Sequence, residues 1–145
     1  MLNISHYKII AIGKIRKKWI QEGIEMYLKR LPGLEVKEIK DSTKLKEEHT
    51  IKEIISKNEF LVTLNENGQS FTSKQLATKL LNSHNQNITF VIGGASGLTS
   101  SLNNLASWQL SLSPLTFPHE IARLLLIEQL YRAKTITQGG PYHKE

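Results

Sequence analysis

Between residues 80 and 119 the chain carries no Asp, Glu, Lys or Arg. A stretch of that length in a chain of 145 residues cannot all face water comfortably. Its apolar runs, above all Ile88-Thr89-Phe90-Val91-Ile92, must go to a core, a ligand pocket or a subunit interface. A Ser/Asn-rich surface loop is the other reading, and those runs argue against it. The charge lies elsewhere: thirteen of the nineteen Lys and Arg residues precede Asn58. The net charge of +6 fits an anionic partner such as nucleic acid, or simply a basic soluble protein.

The length suits one compact domain over residues 1–145. The absence of cysteine excludes disulfides, Cys-based zinc sites and thiol catalysis. The apolar residues of the first twelve positions are interrupted by Asn3, Ser5, His6 and Lys8. No run reaches the ~18 apolar residues of a membrane span. No membrane segment, secretory peptide or transit peptide is therefore expected, and the expected location is cytoplasmic.

Strand and helix signals alternate along the chain. Lys8-Ile9-Ile10-Ala11-Ile12 reads as a buried strand closed by Gly13, and a basic turn follows over residues 14–18. Helical spacing over 19–30 places Trp19, Ile20, Gly23, Ile24, Tyr27 and Leu28 on the apolar side. Residues 34–39 alternate like a half-exposed strand. Asp41 or Ser42 is the expected cap of a charged helix reaching about Ser56. Residues 60–64 form the next strand, followed by a loop at 65–68, where Asn67-Gly68 signals a turn. A helix is expected from Thr72 or Ser73 to Asn82, a connector at 85–87, and a strand at 88–92. A short helix is expected to start near Thr99 to Ser101 and end around Ala106, followed by a strand at 108–112 and a long helix at 119–134. This alternation indicates an α/β fold with a mostly parallel sheet flanked by helices.

Four features carry chemistry. Gly93-Gly94-Ala95-Ser96-Gly97 follows a strand, where glycines allow either ligand contact or a plain tight turn. It matches neither a dinucleotide fingerprint, nor a P-loop, nor a nucleophile elbow. Ser113-Pro114-Leu115-Thr116-Phe117-Pro118 is an uncharged loop pinned by two prolines. It reads as a plain entry to a helix, or as a set of backbone groups facing an adenine edge. The helix beginning at His119 is apolar nearly all round, which favours a homodimer interface over a central core helix. Glu128 and Arg132 on it are spaced to pair. The tail, with Arg132, Lys134, Tyr142, His143 and Lys144, offers groups for phosphate and base, or is a solvated terminus. His119-Glu120-Ile121-Ala122-Arg123 lacks the second His of a zincin motif, and no metal site is indicated.

Taken together, several blocks resemble the RlmH family of the SPOUT superfamily of knotted methyltransferases. They are Ile10-Ala11-Ile12-Gly13-Lys14, Glu25-Met26-Tyr27-Leu28-Lys29-Arg30, Phe90-Val91-Ile92-Gly93-Gly94-Ala95-Ser96-Gly97-Leu98, Leu110-Ser111-Leu112-Ser113 with Phe117-Pro118-His119, Glu128-Gln129-Leu130-Tyr131-Arg132-Ala133, and Pro141-Tyr142-His143-Lys144. The resemblance implies a parallel α/β sheet whose C-terminal segment threads a deep trefoil knot, in a homodimer. It implies S-adenosyl-L-methionine as methyl donor. The implied substrate is N3 of a pseudouridine in 23S ribosomal RNA, in a hairpin loop near the decoding centre of the assembled ribosome.

Carried over by matching, the cofactor would touch Leu64, Gly94, Ser113, Pro114, Leu115, Thr116, Phe117 and Pro118. Arg132, Tyr142 and His143 would hold or activate the base. The segment 41–60 is shorter than in many relatives, and Asn65 stands where some carry an acidic residue. The alternative is a non-catalytic RNA- or ribosome-binding factor of the same fold. A nucleotide-dependent α/β enzyme of another type is a third reading, and the missing phosphate fingerprints count against it.

Overall fold

Part of the uncharged run forms a central strand with every residue buried, Ile88–Ile92. We describe a computed structural model over residues 1–55, 59–83 and 86–144. The far end of the charged helix, Ser56, and the start of the connector, Asn85, lie outside these residues. In chain order the elements are β1 (Tyr7–Ile12), α1 (Lys18–Lys29), β2 (Glu35–Ile39), α2 (Lys44–Ile54) and β3 (Phe60–Ser70). They continue with α3 (Ser73–Asn82), β4 (Ile88–Ile92), α4 (Ser100–Leu105), β5 (Trp108–Ser111) and α5 (His119–Gln138).

The strands form one sheet in the order β2-β1-β4-β3-β5, with every pairing parallel. Side chains alternate across it. Tyr7, Ile9, Val62 and Phe90 face one side with Ile20 and Ile24 of α1, Leu76 and Leu80 of α3, and Leu126, Ile127 and Leu130 of α5. Ile10, Ile12, Leu61 and Val91 face the other with Ile51 of α2 and Leu102 of α4. Helices thus cover both faces, which is why the central strands read as continuous apolar runs. The polar Thr89 is accommodated by donating to the Glu59 carboxylate at 2.6 Å.

Four details differ from the sequence expectation. First, β3 runs on to Ser70 through the expected loop. Its register against β5 shifts between Leu64 and Gln69, so residues 65–68 bulge out while pairing resumes beyond them. Asn67-Gly68 is not a free turn, because a β-carbon on Gly68 would lie 2.5 Å from the Gln109 carbonyl oxygen. Second, Thr43 caps α2, accepting from the Lys46 N–H, while buried Glu47 takes the Ser42 N–H at 2.7 Å. Third, Trp19 is 59% exposed. Adjacent residues on a helix point about 100° apart, and Ile20 takes the inward position.

Fourth, α5 continues past Lys134 to Gln138. It lies on the sheet between α1 and α3. Leu126, Ile127, Leu130 and Ala133 are buried, and Ile121, Leu124 and Tyr131 pack partly against the same core. Burial between these neighbours accounts for most of its all-round apolar character, as the core-helix reading expected.

The start of α5 is anchored by charge. Arg123 is only 3% exposed; it donates to the Gly13 carbonyl at 2.9 Å and pairs with Glu38 on β2. The Glu120 carboxylate accepts the Arg16 and Lys17 N–H groups at 2.8 and 3.1 Å, and these bonds hold it below the usual carboxylate range. The helix is therefore tied to the end of β1 and to the loop after it.

Two outcomes follow for stability. Arg123→Met should lower urea stability by about 2–3 kcal/mol, because the Gly13 carbonyl loses the donor that a buried Arg123 supplies and Glu38 loses its partner. Glu38→Gln should cost less, about 1 kcal/mol, because the Glu38 side chain is 43% exposed and partly solvated already. Equal costs would contradict this account. Tyr7 is buried and its hydroxyl has no partner among the described residues, and burial pushes that phenol up from 10.0 to about 12. Because the folded pKa lies above the unfolded one, folding stability at pH 8 is unaffected by ionisation of this group and falls only as pH rises from 10 toward 12, where the unfolded chain ionises first. Tyr7→Phe should therefore flatten the fall in melting temperature across that window without lowering stability at pH 8.

Candidate functional site

The strand order reverses around β1 and β4, and a cleft opens beside them at the carboxyl ends of β3, β4 and β5. Ligands of open α/β sheets bind at such a position. The cleft measures about 820 Å³, within the range of small-molecule sites. Leu64 ends one wall, Ile92 and the glycine loop another, and the loop after β5 a third, with His119 and Ala122 of α5 completing it. Of the residues expected to hold a cofactor, Leu64, Gly94, Ser113, Leu115, Thr116, Phe117 and Pro118 line this one space. Pro114 is exposed and lies outside the lining residues.

The glycine loop folds back on itself, with the Gly97 N–H donating to the Gly94 carbonyl at 3.0 Å. A β-carbon on Gly93 would lie 2.8 Å from the Gly97 backbone, so a side chain there would force the loop apart. The β3 bulge is fixed just as closely. The Asn65 amide donates to Gln109 at 2.8 Å, and the Gln109 amide in turn donates to the Asn103 carbonyl. Asn65 thus holds β5, and the acidic side chain at the cleft comes from its neighbour, Glu66. The Thr116 hydroxyl donates to the Glu66 carboxylate, and the Ser111 hydroxyl donates to the Glu66 carbonyl at 3.1 Å. Sequence reading missed Glu66 because its place depends on the bulge, which leaves no local signal.

The lining is mostly apolar and backbone. It includes the Glu66 carboxylate and the His119 imidazole but no Lys or Arg among the described residues. A phosphate-bearing nucleotide finds no charge partner here. A flat heteroaromatic ring with a cationic group fits better.

The expected tail residues meet one another, but elsewhere. Arg132 donates to Glu128 at 2.6 Å, so the spacing-based pair forms within the chain. That bond raises the guanidinium pKa further. Tyr142 donates to Glu128 at 2.8 Å and therefore accepts from Tyr27, 3.0 Å away. Burial and these bonds push its phenol well above the usual range. The Arg132 guanidinium lies 4.7 Å from the Tyr142 ring centroid and 3.1 Å from His143 Nδ1. Arginine only donates, so Nδ1 must accept and the His143 proton sits on Nε2. Arg132 lies thirteen helical steps beyond His119, a rise of roughly 20 Å. The cluster and the cleft thus occupy opposite ends of one helix.

Among the described residues no group of three or more His, Cys, Asp or Glu could hold a metal ion. No described helix is long and apolar enough to cross a membrane.

Comparison with known proteins agrees with this geometry. Residues 5–143 match the family model described as predicted SPOUT methyltransferase. The chain is 99% identical, over 100% of both proteins, to the ribosomal RNA large subunit methyltransferase H of Prochlorococcus marinus (strain NATL1A). It is 56% identical to the protein of that name in strain MIT 9211 and 54% identical to that in Synechococcus sp. (strain CC9311), over 99% of each chain. Among solved structures it resembles a probable methylase family protein from Haemophilus influenzae Rd KW20, with a TM-score of 0.63 at 12% identity, covering 99% of this chain and 72% of that one. That likeness concerns the fold alone. The chain belongs to the SPOUT methyltransferase family, and within it to the RlmH family.

Proposed function

We propose that the protein methylates large-subunit ribosomal RNA with S-adenosyl-L-methionine as donor, at N3 of a pseudouridine in the 23S hairpin loop near the decoding centre. The assembled ribosome is its substrate and the cytoplasm its location. Its whole length, 1–145, acts as one domain, with the C-terminal segment threaded as a trefoil knot. The observation that carries the reading is the convergence of seven matched residues on one cleft without Lys or Arg. The names of the relatives supply the RNA class.

The cleft suits this donor. Apolar walls from Leu64, Ile92 and Phe117 fit an adenine ring, and backbone groups of the loop Ser113-Pro114-Leu115-Thr116-Phe117-Pro118 fit its edge. Close-packed Gly93 and Gly94 admit the rest of the molecule near the backbone, and Glu66 faces its positive charge. When bound, the donor supplies a methyl group activated by attachment to a sulfonium. The protein's work is then positioning, and stabilising the base as its N3 proton leaves.

Arg132, Tyr142 and His143 serve that second task. The permanently charged Arg132 is suited to hold the deprotonated base or a phosphate. Tyr142 stays a neutral phenol and so cannot take the proton. His143 Nδ1 is occupied by Arg132, so it becomes a base only if that bond opens. The separation of roughly 20 Å along α5 favours a homodimer in which one subunit's tail reaches its partner's cleft. Leu125, half-buried on α5, and Leu115, 70% exposed at the cleft, are apolar surface that such a partner would cover.

Calorimetry should show S-adenosyl-L-methionine binding to the wild type, weakened about tenfold or more by Ala95→Trp, which places an indole in the cleft. Arg132→Ala and His143→Ala should keep that affinity and lose methylation of unmodified ribosomes roughly a hundredfold. If both variants methylate normally, the tail assignment is wrong. Absence of donor binding in the wild type would favour a non-catalytic ribosome-binding factor.

A further inference from the structure

The loop after β1, together with Lys18 at the start of α1, is the most cationic short segment of the chain, and neither the cleft nor the tail uses it. Lys14, Arg16, Lys17 and Lys18 fall within five residues, and all four are exposed. Lys18 lies 4.0 Å from Glu22, with its side chain 90% exposed, and Glu120 is close enough to Lys17 to feel its charge. The side chains of Lys14, Arg16 and Lys17 make no ion pair among the described residues. Trp19 follows directly, 59% exposed. Such a loop is repelled by its own charges and gains from meeting an anion.

Its backbone is nevertheless held. The Arg123 guanidinium takes the Gly13 carbonyl at one end, and Glu120 takes the Arg16 and Lys17 N–H groups at the other. Acceptance by that carboxylate keeps the backbone pinned while the four cationic side chains point to solvent. The loop also borders the cleft: a β-carbon on Gly13 would lie 3.8 Å from Nε2 of His119, which lines it. An ordered row of cations with an adjacent exposed indole is the combination that holds a nucleic-acid backbone and stacks an unpaired base.

We propose that residues 14–19 are an RNA-docking element, which grips the backbone of the ribosomal RNA strand flanking the target base and stacks Trp19 on a neighbouring nucleotide. This rests on the ribosomal RNA reading above and adds the surface that recognises the substrate. Phosphate contacts position a strand without reading its sequence, so the loop sets affinity and register rather than choice of base.

The test is equilibrium binding of the full-length protein to 70S ribosomes across a salt series, with methylation measured in parallel. The variant Arg16→Gln/Lys17→Gln/Lys18→Gln keeps the backbone bonds to Glu120 and all cleft residues. Its affinity for ribosomes should fall at least about tenfold, and its log–log salt slope should flatten by about 2, the loss expected for three phosphate contacts on a single strand. Its affinity for S-adenosyl-L-methionine and its dimer mass should stay unchanged. Trp19→Ala should weaken ribosome binding about tenfold with the slope intact.

Wild-type affinity and slope in the triple variant would overturn the proposal while leaving the methyltransferase reading in place. Weaker binding with an unflattened slope would mark the loop as a protein-binding surface and overturn the RNA assignment. A wild type that neither binds nor methylates ribosomes would remove both readings together. A Trp19→Ala protein that loses its dimer would overturn the stacking role.

Discussion

One buried guanidinium sets the working end of this molecule. Arg123 joins the last helix to the end of the first strand through the Gly13 carbonyl and to the edge strand through Glu38. With it in place, His119 and Ala122 close the cleft from below, and Glu120 reaches the loop after β1. Remove the anchor and the helix still has its apolar contacts with α1 and α3, but its first turn is left held only by the bonds of Glu120 to the loop after β1. Hydrophobic burial holds α5 down, and charge determines where it starts. Only the second sets the cleft.

The distribution of charge along the chain then becomes a division of labour. The uncharged run supplies β4, the glycine loop, β5 and the loop after it, which together build the core and most of the cleft wall. A cleft without Lys or Arg offers a phosphate no charge partner and suits the cationic donor proposed for it. The cations lie outside it, on the loop after β1 and at the far end of α5, where an RNA partner would meet them. Dimerisation would bring those two cationic regions to one active site, which a single chain leaves apart.

Much of this was legible in the chain. Ile88-Thr89-Phe90-Val91-Ile92 states its own burial, and Thr72 and Thr99 announce their helices as side-chain caps. The glycine and proline loops were visible as motifs but not as parts of one cleft, because strand order decides that and local pattern does not encode it. Gly68 and Glu66 were misread for a similar reason. A register shift between β3 and β5 converts a turn signal into a bulge and aims Glu66 at the cleft. Arg123 looked like the failed half of a metal motif; its burial depends on residues more than eighty positions away. Trp19 looked like core because helical spacing cannot say which edge of an apolar face is covered.

The central claim is that the cleft of one subunit works with the tail of another. Mixing two impaired proteins tests it directly, at a donor concentration too low to fill the altered cleft: Ala95→Trp, with its cleft obstructed, and Arg132→Ala, with its tail disabled. Exchanged into mixed dimers, each pair holds one site with both parts intact, and ribosome methylation should recover to about a quarter of the wild-type rate. If the mixture stays as inactive as its components after exchange is verified by mass, cleft and tail do not act across subunits, and the composite site is contradicted.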